Sequence, residues 1–143
     1  DPTTATDAIF LVPATGGAPT RLVGAPRESD LQPAWSPDGT RILFASDRPD
    51  EGQLDLWVID LRAATPALTA KQVTKSPGLD DHDPAWSPDG RKITYVAESS
   101  SHGSASWQLY VSNANGSNRH IVTHACGACA IINDDPSWQP LRS

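Results

Sequence analysis

Short apolar runs alternate along the whole chain with breaks rich in Pro, Gly, Asp and Ser, and this spacing predicts strands rather than helices. Arg41-Ile42-Leu43-Phe44-Ala45 is apolar on both alternating sets of positions. A strand with that pattern belongs to a sheet covered on both faces, because successive side chains point to opposite sides. It is preceded by a segment ending at Trp35, and the intervening Ser36-Pro37-Asp38-Gly39 predicts a tight turn. In such a turn Pro presets φ and Gly accepts a positive φ. Asp55-Leu56-Trp57-Val58-Ile59-Asp60 supplies a third strand and Gln72-Val73-Thr74 a fourth. The unit is therefore a four-stranded antiparallel sheet, and the reading is all-β.

The unit repeats. Pro33-Ala34-Trp35-Ser36-Pro37-Asp38-Gly39 returns 51 residues later as Pro84-Ala85-Trp86-Ser87-Pro88-Asp89-Gly90. A clipped third copy, Pro136-Ser137-Trp138-Gln139-Pro140, follows after 52 more. Leu54–Asp60 corresponds to Trp107–Asn113 and, upstream, to Asp7–Pro13. Each unit closes on a short β-type run: Thr20–Val23, Gln72–Thr74 within Lys71–Thr74, and Arg119–Thr123. A period of this length marks a repeat architecture in which each unit covers its neighbour.

The Pro-Ala-Trp-Ser-Pro-Asp-Gly block, the apolar strand after it, Leu-Trp-Val-Ile-Asp and the closing Val-Thr resemble the TolB-like β-propeller family, a WD40-like repeat, over about Asp7 to Gln139. The resemblance implies propeller blades of four antiparallel strands in an exported protein, periplasmic or extracellular. It also implies a role in protein–protein interaction or scaffolding. Residues 1–143 are read as one module: 8–23 supply strands three and four of a partial blade, 30–74 and 81–123 are complete blades, and 133–140 give the first strand of a further one. Propellers close with about four to eight blades, so two complete and two partial blades leave the ring open in a monomer.

Three outcomes follow from an open ring. The chain is a fragment of a longer propeller acting as a sensor, a ligand- or protein-binding domain, or an accessory domain of a hydrolase. Alternatively it self-assembles head-to-tail, Ser137, Trp138 and Gln139 of one copy completing the blade begun by Ile9, Phe10, Leu11 and Leu22 of the next. That contact closes as a ring or runs on as a filament, according to the rotation. The composite blade lacks its second strand, and Asp1–Thr6 of another chain is a candidate to add it. Trp35, Trp57, Trp86, Tyr110 and Trp138 recur at repeat positions and are expected as blade core; Trp107, without an aromatic counterpart, is the candidate for exposed contact.

Composition narrows the partners. The net charge is −6, with 11 Lys and Arg scattered among 17 Asp and Glu, which disfavours nucleic acid and anionic membrane. No stretch reaches the roughly 18 apolar residues of a membrane span. The expected partners are further copies of the chain or other exported proteins. The opening Asp1-Pro2-Thr3-Thr4 reads as a mature end or a linker.

Candidate chemistry is sparse. Cys126-Gly127-Ala128-Cys129 fits a redox pair, half a zinc site or a disulfide, and an exported setting favours the disulfide. His120 and His124 lie just upstream, but strand alternation works against all four side chains converging. The acidic loops around Asp47, Asp50, Glu51 and Asp55, Asp80–Asp83, and Asn133–Asp135 are compatible with Ca²⁺, although none has EF-hand spacing. No cofactor is otherwise expected. Asp30, Asp81 and Asn133 each stand three residues before the strand-one Pro, which points to a structural acceptor for nearby backbone N–H groups. No hydrolase, metalloprotease or phosphate-loop motif is present, and no catalytic residue is expected.

Overall fold

The computed structural model describes residues 7–25, 28–48, 52–99, 106–123 and 136–139. Among these, the elements are ten strands and one 3-10 turn, Pro66–Thr69. The first sheet pairs β1 (Ile9–Leu11) with β2 (Thr20–Val23). The second runs β3 (Asp30–Trp35), β4 (Arg41–Ser46), β5 (Asp55–Asp60) and β6 (Lys71–Gln72) in that order. The third repeats it with β7 (Asp80–Trp86), β8 (Lys92–Ser99), β9 (Ser106–Asn113) and β10 (His120–Ile121). All pairings are antiparallel between sequence neighbours, so each four-stranded sheet is an up-and-down blade.

Parity along β4 shows why the blades stack. Ile42 and Phe44 point to one face and join Ile9, Leu22, Val23 and Ile59. Leu43 and Ala45 point to the other and join Leu56, Trp86, Ile93 and Tyr95. One strand thus serves two cores, and Ile42, Leu43, Phe44 and Ala45 are all buried. Ile42, Leu43 and Phe44 each contribute about 1.5–3 kcal/mol when removed from water, but only if both neighbouring sheets are in place.

The Ser-Pro-Asp-Gly turns are held by their own side chains. Gly39 N–H donates to the Ser36 carbonyl at 2.9 Å with φ +68°, and Gly90 N–H to the Ser87 carbonyl at 2.8 Å with φ +67°. The Asp38 carboxylate accepts from the Ser36 hydroxyl at 2.6 Å, the Thr40 N–H at 3.1 Å and the Thr40 hydroxyl at 2.9 Å. Ser36 Oγ in turn accepts from Arg41 N–H at 2.9 Å, tying the far strand to the turn. Ser87, Asp89, Arg91 and Lys92 repeat the pattern. These donors, the Ser36 hydroxyl foremost, hold the Asp38 carboxyl at about 2; Asp89 is lowered for the same reason.

Strand one carries a bulge in both blades. The register of β3 shifts between Leu31 and Ala34, and that of β7 between His82 and Ala85. Gln32 (φ 51°) and Asp83 (φ 49°) sit left-handed at the matching positions. Pro33 and Pro84 follow them, at a point where the ladder has no need of an N–H.

Two stability measurements test this account. The Asp38 carboxyl is depressed on folding, so its contribution is present above about pH 4, the ordinary carboxylate range, and is lost as pH falls toward about 2. Asp38→Ala is expected to lower Tm near neutrality, with the deficit shrinking down that acid limb in a pH series followed by circular dichroism. Tyr95 is fully buried and its hydroxyl has no hydrogen-bond partner among the described residues. Tyr95→Phe is expected to leave the denaturant midpoint unchanged or raise it, since it removes a desolvated hydroxyl without leaving a cavity.

Candidate functional site

The most structured contacts lie where one blade meets the next, and they recur at the repeat spacing. Trp86 donates its indole N–H to the Ala34 carbonyl at 3.2 Å, and Trp138 donates to the Ala85 carbonyl at 3.3 Å. Each acceptor is the residue immediately before the tryptophan of the preceding blade. A second contact also recurs: Asp81 N–H donates to the Leu54 carbonyl at 2.8 Å, and Asp30 N–H to the Asp7 carbonyl at 3.0 Å. Gln32 Oε1 accepts from Asp83 N–H at 3.0 Å, joining the two bulges. The Arg41 guanidinium covers the outer face of Trp86 at 4.5 Å.

Trp35 departs from its expected place in the core. It is 55% exposed, against 7% for Trp86. The cause is its neighbour: among the described residues the preceding sheet, β1–β2, has counterparts of strands three and four, and none of these residues sets a strand-one carbonyl opposite the Trp35 indole. Trp138 is half-buried and lines a hollow with Thr94, Leu109 and Val111 of the last blade. Residues 136–139 form no ladder pairs among the described residues, as strand one pairs only with strand two and none is described beside it. Trp57 and Tyr110 pack, half-buried, against the two cores.

The N-terminal residues expected at an assembly face divide by parity. Ile9 and Leu22 are buried and Leu11 partly so, all against the first complete blade. Their apolar area is already used within the chain. Phe10, on the opposite parity, is 52% exposed, and Ser137 and Gln139 are exposed as well. Among the described residues the outer edge of β1 has no partner strand, and it faces the position that strand two holds in the complete blades. Trp107 is half-buried opposite Glu98 in the β8–β9 ladder. Cys126 and Cys129 lie outside the described residues, as do Asp1–Thr6, His124, Asp50, Glu51 and Asn133–Asp135.

Asp30 and Asp81 are buried acceptors, but their donors are side chains rather than the expected backbone N–H groups. Asp30 binds the Arg48 guanidinium, which also reaches Glu28 at 3.3 Å. Asp81 accepts from the Ser76 hydroxyl at 2.6 Å and lies 3.7 Å from Arg119. Burial pushes the Asp81 carboxyl upward against these donors. The backbone-binding role falls instead to Asp80, which accepts from Leu54 N–H at 2.8 Å, and Asp55, which accepts from Ser76 N–H at 3.1 Å.

Two arginines complete this arrangement. Arg48 lies over Phe44 and Trp57 at 5.5 and 5.6 Å; Arg119 lies over Tyr110 and Tyr95 at 3.9 and 5.7 Å. Phe44 matches Tyr95 and Trp57 matches Tyr110 in the repeat, so equivalent slots hold a cation over an aromatic pair beside an equivalent aspartate. Yet Arg48 follows strand two and Arg119 precedes strand four. The repeat spacing hides this pair; the matched rings and carboxylates were its only sequence signal.

Among the described residues no group of three or more His, Cys, Asp or Glu is placed to hold a metal ion. The Asp47 carboxylate is engaged by Ser29 N–H at 2.8 Å, and His120 Nδ1 lies 3.1 Å from the Asn118 carbonyl. The His82 ring sits between two carboxylates, Asp83 at 2.9 Å and Glu98 at 3.6 Å. That differs from a catalytic triad, which needs a nucleophile on one side of the imidazole. No helix among the described residues is long and apolar enough to cross a membrane, which leaves β-barrel spans untouched.

The contrast between the two tryptophans is measurable. Trp86→Ala is expected to cost about 3–5 kcal/mol of unfolding free energy, since it empties an interblade core. Trp35→Ala is expected to cost under about 1 kcal/mol in an isolated chain, as substitutions at exposed sites do. Urea denaturation of each variant below any association threshold checks the difference.

Comparison with known proteins places this geometry. Residues 19–141 match the family model described as the TolB beta propeller domain. A curated relative, the Tol-Pal system protein TolB of Rhizorhabdus wittichii, is 37% identical over 59 residues, covering 41% of this chain and 12% of its own length. Two solved structures share the fold. TolB from Agrobacterium tumefaciens superposes with a TM-score of 0.66 at 24% identity, covering 80% of this chain and 40% of that one. TolB from Acinetobacter baumannii does so with 0.56 at 21%, covering 74% and 24%. The chain thus spans less than half the length of each protein compared, and it belongs to the TolB β-propeller domain family.

Proposed function

We propose that the chain is a non-catalytic interaction module, acting outside the cytoplasm, whose unfinished blades are completed head-to-tail by another copy of itself in a ring or filament. The observation that carries this reading is the exposure of Trp35 beside a two-stranded partial blade. An indole that is buried and hydrogen-bonded at the next repeat position here faces solvent. A sheet with an open edge and an apolar face gains stability from any strand that covers it. The exported setting follows from the family resemblance, and the −6 charge and scattered basic residues support proteins as partners over nucleic acid.

A second reading is supported by the comparisons of length. The chain covers 40% and 24% of the two TolB structures, so the same flanks are equally suited to further blades of a longer polypeptide. In that case the module is a section of a protein- or ligand-binding propeller.

Sedimentation equilibrium of the 143-residue chain separates the two readings. Self-completion predicts a mass that is a multiple of 15.2 kDa, falling to one copy when residues 136–143 are removed. A 15.2 kDa species with full β-sheet circular dichroism at high concentration would leave only the second reading.

A further inference from the structure

The two tryptophan contacts within the chain define a rule specific enough to name the missing partner atom. The indole N–H of each blade reaches the carbonyl of the residue just before the tryptophan one blade back, at 3.2 Å for Trp86 and 3.3 Å for Trp138. Trp35 is the third member of the series and the one 55% exposed. Ser137 precedes Trp138 as Ala34 precedes Trp35 and Ala85 precedes Trp86. It is exposed, and the segment carrying it is already seated on the last blade through Trp138.

We infer that Trp35 of one copy docks on residues 136–139 of a second copy, with its indole N–H donating to the Ser137 carbonyl. This deepens the self-completion proposed above and rests on it. The occupant is a second copy because the new contact continues an interface the chain already contains twice. Within that segment Ser137 and Gln139 are exposed, while Pro136 and Trp138 line a hollow with Thr94, Leu109 and Val111. Phe10, 52% exposed on the neighbouring partial blade, extends the apolar surface beside Trp35. A half-exposed indole is also the kind of side chain that dominates interfaces once its rim excludes water.

Three observations decide the matter. Trp35→Ala is expected to weaken association at least about thirtyfold in Kd, and Trp35→Phe, which keeps a ring but loses the N–H, about fivefold. Both should leave the urea midpoint of the unassociated chain nearly unchanged, so a loss of association is not a loss of folding. Benzoylphenylalanine placed at position 35, in a mixture of ¹⁵N-labelled and unlabelled chains, should crosslink on irradiation to the peptide containing Ser137 of the other copy. An oligomer that persists in Trp35→Ala, or crosslinks that map to any other peptide, overturns the docking while leaving self-association intact. A wild-type chain that never exceeds one copy overturns both.

Discussion

A strand such as β4, apolar from Ile42 through Ala45, imposes the constraint on which the rest of this structure depends. Ile42 and Phe44 need a sheet on one side, and Leu43 and Ala45 need another on the opposite side. No single blade satisfies that need, because a twisted sheet cannot fold back over both of its own faces. Stability is therefore shared between neighbours rather than held within each unit. The hydrogen bonds that cross between blades fix the spacing at which this sharing occurs. Asp30 to Asp7 and Asp81 to Leu54 are backbone contacts, indifferent to side-chain identity. The tryptophan contacts add a bulky wedge at the same level.

The motif Trp-Ser-Pro-Asp-Gly divides its labour accordingly. Its last four residues close a hairpin within one blade, with Ser36 and Asp38 bonding to each other and to the returning strand. Its first residue works between blades. The two tasks are chemically separable, and the third copy illustrates this: Trp138 keeps the interblade bond although Gln139 stands where the turn serine would be.

The strand layout was legible in the sequence because it rests on period-two patterning and on turn chemistry, both local. Burial was less so. Trp35 and Trp86 sit in identical local sequence, Pro-Ala-Trp-Ser-Pro-Asp-Gly, yet one is solvated and the other is not, since burial belongs to the neighbour rather than to the residue. Ile9 and Phe10 are adjacent apolar residues of similar appearance, and only the side on which β1–β2 stacks decides which is spent within the chain. The acceptor role of Asp30 and Asp81 was readable from their shared position. Their donors were not, because Arg48 and Arg119 come from parts of the unit that do not align.

That pair of arginines bears on how such arrays diverge. The slot between the ring pair and the buried aspartate is defined by its walls, and a guanidinium enters it from either end of the blade. Column-by-column alignment of the units would set Arg48 against Ser99 and Arg119 against Ala70 and score each as a mismatch. A drifting repeat of this type can thus exchange the origin of its charge compensation while keeping the compensation itself. Blades that look divergent on paper then remain mechanically interchangeable, whereas a swap of short loops between them would leave one blade with two cations for its slot and the other with none.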